Sequence, residues 1–223
     1  MVLTYQNGRL RENVEKLAGS LSGQPLLMEC DVSEDANVEA MFRGLQAELG
    51  HIEVLIHSIA FADRDDLGGR FVDTKRESFR MALDISAYSL VSVVRYGAPL
   101  MADNGGSILT LTFQASSRVF PGYNIMGTAK AALENEVRQL AWDLGRDGIR
   151  INAVSAGPLD TLSSRVISKY RDMKRVHAER SPLGRNITHQ EVADTALFLC
   201  SPMASGITGE ILHVDSGYHV MGI

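Results

Sequence analysis

Short apolar runs rich in β-branched residues alternate along this chain with longer stretches whose apolar positions recur at helical spacing. The runs Leu26 to Cys30, Val54 to His57, Ser107 to Thr112 and Ile149 to Val154 read as strands. Their apolar character is continuous rather than alternating, the pattern of strands covered on both faces. Helical stretches fall at about Arg9 to Leu21, Glu34 to Leu49, Arg76 to Met101, Tyr123 to Gly145 and Gln190 to Cys200. Ser33 begins one of them, with Asp35 in the first turn, where a carboxylate complements the helix dipole. This alternation predicts an α/β fold, a doubly wound parallel sheet with right-handed βαβ crossovers and helices on both faces.

Ligands of such sheets sit beyond the carboxyl ends of the strands. The segments to inspect are therefore Asp31-Val32, Ser58-Ile59-Ala60, Phe113-Gln114 and Ala156-Gly157-Pro158. The stretch Leu162 to Arg185 is the one long region without a strand signal and reads as a helical lid over about 162–185. No Pro/Gly/Ser-rich linker divides the chain, so residues 1–223 are expected to form a single domain.

Composition narrows the function classes. With 45% hydrophobic and 22% charged residues the chain can bury a large core. A net charge of −5 opposes the basic surface that nucleic acid requires. No apolar run approaches the roughly 20 residues that cross a bilayer, and the N-terminal residues lack the pattern of a signal peptide, so the expected address is cytoplasmic with no membrane partner. Cys30 and Cys200 lie far apart in apolar segments and read as two buried reduced thiols. His57, at a strand exit, has nothing at triad or metal-ligand spacing and reads as a satisfied core histidine; no metal site is expected.

The strongest chemical signal is Tyr123-Asn124-Ile125-Met126-Gly127-Thr128-Ala129-Lys130, a Tyr and a Lys seven residues apart at the start of a helix. Two helical turns put both on one face. An ammonium beside a phenol favours phenolate and is expected to lower the tyrosine pKa, making a better acid for carbonyl chemistry. Taken alone the pair also fits a half-buried Tyr and a solvated Lys, which occur together by chance in many helices.

Context makes the signal specific. The pair, followed by Arg150-Ile151-Asn152-Ala153-Val154 and the Gly157-Pro158 turn, resembles the short-chain dehydrogenase/reductase superfamily. Tyr-x2-Met-x3-Lys, His57-Ser58-Ile59-Ala60-Phe61-Ala62, Asp84-Ile85-Ser86-Ala87-Tyr88-Ser89 and Gly209 to Gly217 are similar to the bacterial NADH-dependent enoyl-acyl-carrier-protein reductases, over about Val2 to Gly217. The resemblance implies hydride delivery from NADH to the β-carbon of a trans-2-enoyl thioester in fatty-acid synthesis. Tyr123 would stabilise the enolate oxygen and Lys130 would hold the nicotinamide ribose. It further implies Gln6, Asp31 and Val32 near the adenosine half of the cofactor, Ser58 and Ile59 near its middle, and Leu159, Asp160, Thr161, Leu162 and Ser163 near the nicotinamide and pyrophosphate. Ala62, Phe113, Tyr123 and Met126 would face the acyl substrate. The implied partners are acyl carrier protein and further copies of the chain, as a homotetramer using the helices near 76–101 and 122–145.

From the residues alone, Gln6 also fits an ordinary polar loop, and Asp31 a cap on the next helix. The lid carries Arg165, Lys169, Arg171, Lys174, Arg175, Arg180 and Arg185 against Asp172 and Glu179, seven minus two, or a local surplus of five positive charges. That surplus fits a docking patch for an acidic carrier protein or a solvated face.

The sequence departs from the family pattern in three places. The usual opening strand, glycine-rich turn and helix find no match here, and the chain starts inside what reads as the second strand, so Met1 is expected to be an internal methionine of a longer chain. Without that unit, central strands are expected to be left with unpaired edges. Phe113 stands where these reductases place a tyrosine, ten residues before Tyr123. Asp160 replaces a residue that is commonly basic, which by charge disfavours a nearby pyrophosphate. The alternatives left open are a related reductase acting on a ketone or alcohol, and an inactive or truncated paralogue serving as a binding subunit.

Overall fold

The computed structural model describes residues 1–161, 164 and 170–222. Six strands, β1 (Val2–Tyr5), β2 (Leu26–Glu29), β3 (Val54–His57), β4 (Gly106–Thr112), β5 (Ile149–Ala156) and β6 (Ile211–Val214), alternate with helices. The helices are α1 (Gly8–Gly19), α2 (Asp35–Leu49), α3 (Arg76–Leu83), α4 (Ser89–Gly97), α5 (Ile125–Leu144), α6 (Tyr170–Arg180) and α7 (His189–Cys200). Every strand pair is parallel, as the alternation predicts, but the strands form two sheets: β1–β2, and β3–β4–β5–β6 in that order. Among the described residues β1 pairs only with β2 and β3 only with β4, leaving the two open edges expected from the sequence.

This split corrects the burial expected of β3. Its residues alternate between exposed and buried, with Val54 44% and Ile56 58% exposed while Leu55 and His57 are buried. An edge strand keeps one face bare, whereas the central β4 and β5 are buried almost throughout. The main core forms where α2, α4 and α5 meet β3, β4 and β5, around Phe42, Leu90, Ile108, Leu133 and Ile151; a second cluster joins α7 to Leu109 and Val154.

Two helix boundaries differ from the sequence reading. The stretch 76–101 is not one helix: a single π-turn at Asp84–Tyr88 separates α3 from α4, and a tight turn containing Pro99 follows. Within this π-turn Ser86 turns its hydroxyl to Phe61, accepting from that residue's N–H at 2.8 Å and donating to its carbonyl at 2.8 Å. The N-cap of α2 is Glu34, not Ser33; the Ser33 N–H and hydroxyl both donate to Asp31 Oδ1, at 3.0 and 2.7 Å. Both cysteines are free thiols, Cys30 buried and Cys200 half-buried rather than fully buried. No helix among the described residues is long and apolar enough to cross a membrane.

Candidate active site

Parallel strands send all their carboxyl ends to one edge, so the segments after β3, β4, β5 and β6 converge there. Tyr123 stands just before α5 and Lys130 two turns into it. The chain enters α5 through Asn124 in an unusual conformation, φ 39° and ψ −120°, a strained backbone for a residue with a side chain. The Asn124 side-chain amide offsets that strain by donating to the carbonyls of Asp66 and Gly68. Gly127 then lets the first turn press onto the Gln114–Ser116 turn: a Cβ there would sit 2.7 Å from the Ala115 carbonyl oxygen. Gly127→Ala is therefore expected to destabilise the protein by about 1–3 kcal/mol through overpacking, read as a lower melting temperature.

The substrate-facing residues come together. The Phe113 ring lies 5.0 Å from that of Tyr123, tilted by 59°. Met126 is buried, its sulfur 3.7 Å from the Ser86 hydroxyl that holds Phe61, which brings the segment carrying Ala62 to the same end of α5. Beside them opens a cavity of about 610 Å³ lined by Gln114, Phe120, Met173, Val176, Tyr218 and Met221, among others.

The charge relation within the Tyr–Lys pair differs from expectation. Desolvation pushes the Tyr123 phenol above its usual value of 10, with no resolved lowering by Lys130, so the ring stays protonated at neutral pH. The Lys130 ammonium instead donates to the Leu111 carbonyl at 2.9 Å, and burial pulls its pKa down from 10.5 to about 8. Since an ammonium has three donors, the one hydrogen bond it makes among the described residues leaves capacity for other acceptors. His57 is the satisfied core residue expected: it is 2% exposed, its ring nitrogens lie 3.1 Å from Thr110 Oγ1 and 2.8 Å from Ser89 Oγ, and burial holds its pKa down at about 3.

Gln6 and Asp31, 25 residues apart, meet at the ends of β1 and β2, where Gln6 Nε2 donates to Asp31 Oδ2 at 3.0 Å. Asp31 thus serves both as the turn cap read from sequence and as a partner of Gln6, with Val32 half-buried beside it. Ser58 and Ile59 follow β3 directly, Ser58 exposed. After β5, the Leu159 carbonyl accepts from the Tyr170 hydroxyl, and Thr161 and Ser164 bond to each other's backbone N–H at 3.1 and 2.9 Å. Asp160 is not an isolated negative charge: Lys174 Nζ lies 2.6 Å from its carboxylate. Leu162 and Ser163 lie outside the described residues.

Of the expected lid, α6 is the described helical part, and residues 162, 163 and 165–169 lie outside the described residues. The lid's positive surplus is reduced by two carboxylates from outside it, Asp160 paired with Lys174 and Glu191 with Arg185, while Arg175 pairs with Glu179, already counted in that surplus. Sequence reading missed Asn124, His177 and Tyr218; a residue adopting positive φ just before a helix and a ring contact across 41 residues carry no local signal.

Comparison with known proteins follows the same lines. Residues 1–219 match the family model described as enoyl-(acyl carrier protein) reductase. The chain is 49% identical over 223 residues to the NADH-dependent enoyl-acyl-carrier-protein reductase FabI of Bacillus cereus, spanning 100% of this chain and 87% of that one. It is 45% identical over 221 residues to FabI of Bacillus subtilis, covering 99% and 85%. The crystal structure of the Bacillus cereus reductase with NADP+ and indole naphthyridinone superposes with a TM-score of 0.97, covering 100% of this chain and 86% of that one. The Aquifex aeolicus reductase structure gives 0.96 at 41% identity, covering 100% and 86%. The chain therefore belongs to the enoyl-(acyl carrier protein) reductase family, the one its motifs resemble.

Proposed function

We propose that this chain reduces the 2,3 double bond of trans-2-enoyl-acyl-carrier-protein with NADH, as a single cytoplasmic reductase domain of fatty-acid synthesis. The observation that carries the reading is Tyr123: a protonated phenol packed against Phe113 just before α5, three residues from the buried Met126.

The donor set fits a dinucleotide. Lys130 has unused donor capacity on a buried ammonium, suited to ribose hydroxyls, and Asp31 and Gln6 together offer acceptors and a donor to an adenosine. Val32, Ser58 and Ile59 would line its middle, and Leu159 to Ser163 its nicotinamide and pyrophosphate end. NADH, when bound, supplies a hydride to the β-carbon of the enoyl thioester. As charge gathers on the thioester oxygen, Tyr123 donates a hydrogen bond to it, burial makes that bond stronger than in water, and a proton from the medium then adds at the α-carbon to complete the reduction. Phe113, Met126 and Ala62 exclude water from the acyl chain. Lys174 offsets the Asp160 charge that would otherwise oppose a pyrophosphate.

The discriminating assay compares NADH consumption with crotonyl-coenzyme A and with acetoacetyl-coenzyme A. Consumption with the first and not the second is expected; the reverse would establish the ketone-reductase reading, and none with either the inactive paralogue. Phe113→Tyr in the same assay is expected to change turnover or KM for the enoyl thioester without abolishing reduction, because the added hydroxyl falls beside Tyr123. Unchanged kinetics would remove Phe113 from the acyl site.

We also read the α3, π-turn and α5 face as the surface through which copies assemble into a homotetramer. Phe79, Met81 and Tyr88 are 36%, 38% and 40% exposed there. Beside them Glu136 Oε2 is buried without a hydrogen-bond partner among the described residues, in a groove lined by all three. Light scattering gives the solution mass.

A further inference from the structure

Five aromatic rings run in series from Tyr123 to the inner face of α6. Phe113 touches Tyr123 at 5.0 Å between centroids and Phe120 at 4.7 Å. Phe120 lies 6.3 Å from Tyr218, and Tyr218 stacks on His177 at 4.4 Å with only 21° between the planes. These separations place each ring against the next.

The last ring is oddly placed for a histidine. His177 is 2% exposed, and among the described residues its buried Nδ1 has no hydrogen-bond partner. Burial also lowers its pKa from 6.5, leaving a neutral ring at neutral pH. With that nitrogen unpaired among the described residues, what the structure shows of the ring is its packing. On one side it stacks on Tyr218. On the other it closes on the turn after β5: a Cβ on Gly157 would lie 3.0 Å from the ring carbon Cε1 and 3.1 Å from Nε2. The far end of α6 is fixed independently, where Leu183 N–H donates to the Ser216 carbonyl at 3.2 Å and Pro182 packs on Gly217. His177 therefore stands between the turn leading to Leu159, Asp160 and Thr161 and the ring series leading to Tyr123.

We propose that His177 is a positioning residue for the reduction: by wedging between Gly157 and Tyr218 it fixes the position of α6 and, through Tyr218, Phe120 and Phe113, the position of the Tyr123 hydroxyl. The inference rests on Tyr123 being the hydrogen-bond donor to the substrate. Rings packed in series cannot shift singly without opening a void, so a displacement of α6 reaches Tyr123 as a displacement of its neighbour Phe113.

The test is steady-state kinetics with NADH and crotonyl-coenzyme A for His177→Leu, which keeps bulk without a flat ring, and His177→Phe, which keeps the ring without its nitrogens. His177→Leu is expected to lose about tenfold or more in kcat, the order of effect that small misplacement of a reacting group produces. His177→Phe is expected to restore kcat to within about threefold of the parent, a rescue that general loss of stability would not give. Without cofactor, trypsin should cut α6 at Arg171, Lys174 and Arg175 faster in His177→Leu and at the parental rate in His177→Phe. Should His177→Leu fail to fold, Tyr218→Leu breaks the series at the next ring and is expected to show the same fall in kcat. A parental kcat in the ring-breaking variant, or His177→Phe as impaired as His177→Leu, overturns the proposal. A Tyr123→Phe enzyme with the parental kcat overturns the underlying reading instead, so the two failures are told apart.

Discussion

Replacing Tyr123 by Phe is expected to lower kcat for crotonyl-coenzyme A by roughly 10²–10³-fold, the usual cost of deleting one donor to a developing oxyanion. The substitution removes one oxygen and leaves the ring, so the contact with Phe113 at 5.0 Å and the start of α5 stay in place. Any loss then belongs to the hydroxyl. Desolvation holds the phenol above its ordinary pKa of 10, so it is a donor throughout the neutral range. An interaction made mainly in the transition state lowers kcat and kcat/KM together, with KM nearly unchanged. A variant retaining parental kcat would place the donor elsewhere.

Lys130→Met is expected to weaken NADH binding by roughly 10–100-fold, the equivalent of about 1.5–3 kcal/mol for a hydrogen-bonded charge. Titration of NADH fluorescence measures it. The same residue gives a pH dependence whose sign follows from its pKa, lowered by burial from 10.5 to about 8. The ammonium is lost as pH rises through about 8, so NADH affinity of the parent should fall above that point while that of the variant stays flat. Stability moves the other way. The folded chain releases this proton before the unfolded one does, so between about 8 and 10.5 the unfolded state binds more protons and stability rises with pH. A melting temperature that rises over this window in the parent relative to Lys130→Met would show it; a cofactor affinity independent of pH in both proteins would detach Lys130 from the cofactor.

The parallel α/β architecture was legible because helical and strand periods alternate so regularly, and Tyr123 and Lys130 because two turns of one helix hold them. Contacts between distant segments were not. The apolar run Val54 to His57 looks like a fully covered strand until its neighbours are known, and only the sheet order makes it an edge. The run 76–101 has helical period throughout, yet Ser86 bonds to Phe61, 25 residues back, and the chain takes a π-turn there. The charge relation between Tyr123 and Lys130 was misread for the same kind of reason. Helical spacing gives a shared face, but the ammonium turns to the Leu111 carbonyl of β4, and burial alone pushes the phenol upward. Asp160 gains its offsetting cation from Lys174, 14 residues on.

The central claim is that this chain adds two hydrogens across an enoyl double bond, and mass analysis of the product tests it most directly. The purified protein incubated with NADH and crotonyl-coenzyme A is predicted to yield butyryl-coenzyme A, in step with NADH consumed, and to yield it roughly 10²–10³-fold more slowly when Tyr123→Phe is used at the same concentration. Recovery of crotonyl-coenzyme A unchanged from the parent protein while NADH remains intact would contradict it.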